Sequence, residues 1–183
     1  MGNVKQVLSI NNIVLIGFMA AGKSSVGRIL ARQLGWGFVD TDKEIEKVTG
    51  LKVAELFRKY GELRFRSEEN LVVKKLADQN NIVIATGGGT VLAPDNWQIL
   101  RGLGFLIHLY VPLEVAFSRI KRRQERPLLL KKDIEIEQLW QERLAIYNQA
   151  DITINTVDKD LATIVAEILK ILKGGHKKND PDY

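Results

Sequence analysis

The sequence predicts an α/β fold in which a parallel sheet is covered by helices on both faces. Two observations carry that prediction. Short apolar runs rich in β-branched residues alternate with stretches of helical periodicity, as in a chain that returns to one sheet through successive crossovers. The first run, Ile13-Val14-Leu15-Ile16, passes directly into Gly17-Phe18-Met19-Ala20-Ala21-Gly22-Lys23-Ser24-Ser25 and then into the helical pattern Val26, Ile29, Leu30, Leu34. Strand, G-x-x-x-x-G-K-S and helix is the order that phosphate binding demands. Glycines let the backbone wrap a polyphosphate with its N–H groups inward, and the helix N-terminus adds partial positive charge. Lys23 then reaches the β- and γ-phosphates and the Ser24 hydroxyl can ligate Mg²⁺. A glycine turn that happens to carry a lysine would explain the motif alone, but not its place between strand and helix.

The remaining elements follow in order. Residues 1 to 11 carry no strong pattern and read as a leader. After the first helix, Gly35-Trp36-Gly37 marks a turn. Phe38-Val39 begins a second strand ending in Asp40-Thr41-Asp42. Thr41 and Glu44 form a capping-box pattern for a helix from Lys43 to about Val48. Gly50 breaks that helix, a short one starts at Val53, and Gly61 separates it from a long amphipathic helix, Glu62 to about Gln79. Ile82 to Ala85 is the third buried strand and runs into Thr86-Gly87-Gly88-Gly89-Thr90.

Pro94 suits the first turn of a helix ending near Gly102 and Gly104. Phe105 to Val111 is the fourth strand. Pro112 opens a helix to about Arg123, followed by a charged segment through Asp133. A helix from Ile134 to about Tyr147 precedes a fifth strand, Ile152-Thr153-Ile154, and a last helix carrying Leu161, Ile164, Val165, Ile168 and Leu169. One domain over 1–174 is expected, with a disordered tail at 175–183. Segments 41–80 and 120–135 exceed a minimal crossover. They are expected to supply a second-substrate insertion and, at 120–132, a basic lid.

Composition narrows the function classes. The chain has 183 residues, of which 45% are hydrophobic and 27% charged, the balance of a soluble globular protein. It contains no cysteine, which excludes disulfides, thiolate metal sites and thiol nucleophiles. No apolar run approaches a membrane span and no secretory pattern opens the chain, so a soluble intracellular protein is expected. The net charge of +5 is densest at Arg119, Lys121, Arg122, Arg123 and Arg126. Nucleic-acid binding would explain such a cluster, but no interleaved aromatics accompany it, and a bound polyphosphate needs the same cations.

Several residue sets carry chemistry. Asp40 and Asp42, two apart at a strand end, are expected to share a face toward the phosphate loop. One carboxylate can hold Mg²⁺, directly or through water, and the other can orient or deprotonate an attacking hydroxyl. The plainer alternative is that Asp42 only supports the N-terminus of the next helix. Arg66 and Glu69 lie three apart on one helical face, and an arginine held by a carboxylate suits bidentate capture of a substrate carboxylate. An ordinary surface ion pair has the same spacing.

Gly87-Gly88-Gly89 after a buried strand implies positive φ angles or close approach of a ligand, although a tight loop without one has the same composition. Arg126, in Arg126-Pro127-Leu128-Leu129, can neutralise charge on a transferring phosphoryl group. Arg143 lies four before Tyr147 and says little alone. Asn148-Gln149-Ala150-Asp151 lacks the lysine of the guanine-reading N-K-x-D, so guanine specificity is not expected. His108 alternates within the fourth strand and is expected to be a packed or surface residue rather than a catalyst.

With these residues assembled, the chain resembles the shikimate kinases from about Ile13 to Leu172. The resemblance rests on the phosphate loop, Asp40-Thr41-Asp42, Gly61-Glu62, Phe65-Arg66-Ser67-Glu68-Glu69, Gly87-Gly88-Gly89, Arg126-Pro127-Leu128-Leu129, and Arg143 with Tyr147. It implies a three-layer α/β/α P-loop kinase with a five-stranded parallel sheet in the order 2-3-1-4-5 and a mobile lid. It implies transfer of the γ-phosphoryl of ATP to the 3-hydroxyl of shikimate, giving shikimate 3-phosphate and ADP, in the chorismate route to aromatic amino acids. Matched by position, Asp42, Lys23 and Arg126 are the catalytic residues. Ala20, Ala21, Gly22, Lys23, Ser24, Ser25, Arg119, Arg126 and Lys159 are the ATP contacts, with Arg122 an alternative to Arg119. Asp42, Arg66, Gly87, Gly88, Gly89 and Arg143 hold shikimate, and Ser24 and Asp40 serve Mg²⁺.

Ala20 and Ala21 stand where many relatives carry glycine or serine, in a loop that remains compatible. The expected partners are shikimate and ATP, with neither nucleic acid nor membrane, for a cytoplasmic monomer. Two rival readings are a kinase for another small polyol acid such as gluconate and a non-catalytic nucleotide-dependent module. The first has no reason to keep the Arg66, glycine and Arg126 sets, and the second should have lost Lys23, Asp42 or Arg126.

Overall fold

The computed structural model describes residues 10–119 and 133–174. Arg122, Arg126 and the lid expected at 120–132 lie outside the described residues, as do the tail at 175–183 and most of the leader.

Five strands form one parallel sheet: β1 (Ile13–Ile16), β2 (Gly37–Asp40), β3 (Ile82–Ala85), β4 (Phe105–Tyr110) and β5 (Ile152–Asn155), in the order β2-β3-β1-β4-β5. This is the expected order. Strand β1 sits in the middle because all four of its residues are apolar, and all four are fully buried. Its register pairs Leu15 with Ala85 on one side and Ile16 with His108 on the other. Asp40 pairs with Ala85 across the next gap, so β1, β2 and β3 end together and their following loops meet at one edge.

The helices are α1 (Lys23–Leu34), α2 (Thr41–Thr49), α3 (Val53–Lys75), α4 (Pro94–Leu103), α5 (Leu113–Arg119), α6 (Asp133–Tyr147) and α7 (Leu161–Lys173). Helix α1 buries Val26, Gly27, Leu30, Ala31 and Leu34 against the sheet. A Cβ on Gly27 would stand only 2.6 Å from the Phe38 ring, which fixes how closely α1 lies on β2. Among the described residues no helix is long and apolar enough to cross a membrane.

Two expectations need correction, and one short element lies outside them. The second helix starts at Thr41, and its cap is Asp40, whose side chain accepts from the Lys43 N–H at 3.2 Å. Thr41 is fully buried, and its hydroxyl accepts instead from the Gly87 N–H at 2.9 Å. Gly61 (φ 78°, ψ 177°) leaves the helical region and separates two helical stretches within Val53–Lys75, as expected, but the second stops at Lys75, short of Gln79. A short 3₁₀ turn, Thr90–Leu92, follows the glycines and was not expected.

The core has two parts. The larger lies on both faces of the sheet. The smaller joins Ile45 of α2 to Leu56, Phe65 and Val72 of α3, with Leu51, Val53 and Phe57 packed against it. It is the interior of the segment expected to hold the second substrate.

Candidate active site

Between β1 and α1 the backbone takes left-handed conformations at Gly22 (φ 92°) and also at Ala20 (φ 60°), a non-glycine residue for which that region costs about 1–2 kcal/mol. The Lys23 ammonium donates to the carbonyls of Gly17 at 2.7 Å and Phe18 at 2.8 Å. Ser24 Oγ donates to Asp40 Oδ2 at 2.5 Å, which brings the hydroxyl and the carboxylate expected to serve Mg²⁺ to one point. That oxygen pair suits a small hard cation that keeps most of its water. The Arg119 guanidinium, at the end of α5, donates to Thr156 O at 2.7 Å and Thr156 Oγ1 at 3.0 Å and reaches Ala20 O at 3.5 Å. It therefore spans from the phosphate loop to the loop after β5. Lys159 is engaged by Glu167 of α7 at 2.5 Å.

The glycines after β3 organise the second half of the site. A Cβ on Gly87 would stand 2.6 Å from Asp42 Oδ1, one on Gly88 would stand 3.2 Å from Arg143 Nη1, and one on Gly89 would stand 2.7 Å from Arg66 Nη2. Three successive backbone positions are each faced by one of the three side chains assigned to the substrate. Close approach of these side chains, rather than of a ligand as expected, is what leaves no room for a Cβ. The positive φ angles offered as the other explanation do not occur there. A Cβ on Gly88 would also stand 3.7 Å from Gly17 O, the carbonyl that holds Lys23, so the glycine loop and the phosphate loop are neighbours.

Asp42 reaches this place by a different route from the one expected. It lies in the first turn of α2 and not on the strand, so strand alternation does not align it with Asp40. The two carboxylates instead divide the work. Asp40 turns to Ser24, and Asp42 places a buried Oδ1 beside Gly87.

The two arginines are held differently. Arg66 donates to Glu69 Oε2 at 2.8 Å and to Glu62 Oε1 at 3.1 Å. Burial works against its charge, but Glu69 and then Glu62 outweigh burial, and its pKa stands above the ordinary value. Glu69 is only 1% exposed, and its other oxygen accepts from Thr90 Oγ1 at 2.6 Å. This is a built-in support, not the surface ion pair of the plainer reading.

Arg143, on α6, is 2% exposed, and burial lowers its pKa, with Tyr147 opposing and Arg66 adding to the effect. An arginine starts so high that it remains a cation. Tyr147 donates to Gly88 O at 2.5 Å, and burial pushes its own pKa up to about 12, so it is a neutral phenol. His108 is packed as expected, its ring 5.2 Å from that of Tyr147. Burial and then the nearby Lys23 charge press its pKa down to about 4. Sequence reasoning missed the parts played by Thr41 and Thr90, for which no local signal exists.

The comparisons with known proteins agree with this geometry. The family model described as shikimate kinase matches residues 19–173. The shikimate kinase of Pelotomaculum thermopropionicum is 48% identical over 164 residues, covering 88% of this chain and 95% of the relative. Among solved structures, a shikimate kinase from Acinetobacter baumannii in complex with shikimate superposes with a TM-score of 0.88 at 36% identity, covering 95% of this chain and 99% of that one. The shikimate kinase of Aquifex aeolicus gives a TM-score of 0.80 at 40% identity over 89% of this chain and 96% of its own. Phosphate loop, glycine-faced arginines and these likenesses converge, and the chain belongs to the shikimate kinase family.

Proposed function

We propose that this protein is an ATP-dependent shikimate kinase, moving the γ-phosphoryl group of ATP onto the 3-hydroxyl of shikimate to give shikimate 3-phosphate and ADP. One observation carries the reading: Asp42, Arg143 and Arg66 face three consecutive glycines, one carbonyl away from Lys23. A flat ring can lie against backbone that carries no Cβ. Its carboxylate then meets two guanidinium groups, and a ring hydroxyl meets Asp42. Asp42 accepts the proton of that hydroxyl as it attacks the γ-phosphorus, which positioning and charge stabilisation then accelerate.

Lys23 exchanges the carbonyls of Gly17 and Phe18 for phosphate oxygens when the triphosphate enters. Ala20, Ala21, Gly22 and Ser25 complete the backbone cradle, and the family resemblance assigns Arg119, or Arg122 in its stead, to the adenine; the reach of Arg119 from Ala20 O to Thr156 supports the former. Ser24 and Asp40 would hold Mg²⁺, with Asp40 acting through water. Bound there, the ion supplies charge neutralisation across the phosphates. The family resemblance assigns Arg126 to the transferring phosphoryl group and segment 120–132 to the lid that excludes water. Lys159 is the weakest of the assigned ATP contacts, because Glu167 already engages it. A monomer working in the cytoplasm completes the proposal.

The test is a coupled ADP-release assay with ATP and Mg²⁺, comparing shikimate with gluconate. Shikimate-dependent release that gluconate does not elicit is the expected result. Release with gluconate alone, or tight shikimate binding without turnover, would replace the reading with one of its rivals.

A further inference from the structure

Building on the shikimate kinase reading, we infer that Tyr147 is a positioning residue for the acid-binding half of the site, setting the Arg143 guanidinium against the Gly88 backbone. Its hydroxyl donates its single proton to Gly88 O at 2.5 Å, which leaves its lone pairs facing the guanidinium: a Cβ on Gly88 would stand 3.7 Å from that hydroxyl and 3.2 Å from Arg143 Nη1. One atom thus fixes the distance between the backbone that faces the substrate ring and the cation that faces the carboxylate. The phenol cannot wander, because its ring is 1% exposed and lies 5.2 Å from His108.

Arg143 depends on this support. Its Nε is buried and has no hydrogen-bond partner among the described residues, so the inner edge of the guanidinium is not locked. The Phe18 ring lies 5.9 Å from the guanidinium carbon and adds a weak restraint. Arg66, by contrast, is clamped by Glu62 and Glu69, and those carboxylates offset its charge. A neutral phenol orients Arg143 without offsetting anything. The charge stays available for an incoming carboxylate, at a site where burial makes each charge count for more.

The test compares wild type and Tyr147→Phe on shikimate and on its neutral primary amide. The variant is expected to raise the KM for shikimate by about tenfold while kcat stays within about threefold and the KM for ATP within about twofold. Its kcat/KM for the amide should be nearly unchanged, so the preference for the acid shrinks by about tenfold. A residue that only props up α6 would penalise acid and amide alike, and that outcome, or an unchanged KM for shikimate, overturns the inference. If Tyr147→Phe does not fold, Tyr147→His, which keeps a planar ring with a shorter reach, is judged by the same acid-to-amide ratio. Absence of shikimate turnover in the wild type removes the kinase reading and this inference together. A shikimate-active wild type with an indifferent Tyr147→Phe removes Tyr147 alone.

Discussion

The hydroxyl of Ser24 sits 2.5 Å from Oδ2 of Asp40, joining the first turn of α1 to the last residue of β2. The same carboxylate caps α2 through its other oxygen. Asp40→Asn keeps a good helix cap but loses the anionic oxygen. The variant should fold normally and need about tenfold more Mg²⁺ for half-maximal rate, with little change in the KM for shikimate. Magnesium titrations of the two proteins decide the matter, and coincident curves would take Asp40 out of the metal site.

Asp42→Asn preserves shape beside Gly87 and removes the proton acceptor. ATP binding should stay within about twofold of wild type while kcat falls by about a hundredfold or more. Equilibrium binding of a fluorescent ATP analogue, set beside the ADP-release rate, reads both quantities. Full activity in the variant would mean another group takes the proton.

Gly89→Ala is a steric probe of Arg66. Gly89 has φ −104°, which alanine adopts without strain, but the new Cβ would stand 2.7 Å and 2.8 Å from the two terminal guanidinium nitrogens. Glu62 and Glu69 hold that group, so it must leave its place or the Cβ cannot enter. The KM for shikimate should rise about tenfold or more, with the KM for ATP unmoved. Gly102→Ala is the control, since nothing lies within 4 Å of its added Cβ. Matching behaviour of the two variants would refute the steric argument.

His108 makes stability depend on pH. Its pKa is about 4 when folded against an ordinary 6.5, so between those values the unfolded chain binds a proton that the folded protein refuses. Its contribution is complete above about pH 6.5 and is lost as pH falls toward 4, on the order of 2 kcal/mol by pH 5. Denaturant midpoints of wild type and His108→Gln at pH 7.5 and pH 5 should therefore diverge, the wild type losing more on acidification. Equal losses would show that His108 is not the group responsible.

What could be read from the chain, and what could not, divides by the range of the interactions. The five strands were legible because each is a short β-branched or apolar run with a turn signal at its ends, and burial rewards that pattern wherever it lies in the sheet. The cap of α2 was misread because a capping box is a local pattern, whereas the Thr41 hydroxyl is claimed by a Gly87 N–H 46 residues away. At Gly87 to Gly89 the composition points to a ligand against the backbone, but not to the side chains that crowd it, since α2, α3 and α6 each bring one from far along the chain. Tyr147 stood one helical turn from Arg143 in plain view, yet its partner carbonyl on Gly88 is 59 positions distant.

The small cluster of Ile45, Leu56, Phe65 and Val72 gives the segment proposed to hold the acceptor its own foundation. Arg66 stands next to Phe65 on that foundation, just past the bend at Gly61, whereas Lys23 and Ser24 open the helix that packs on the central sheet. Exchanging side chains within this minor nucleus would therefore be felt first in how Arg66 is held.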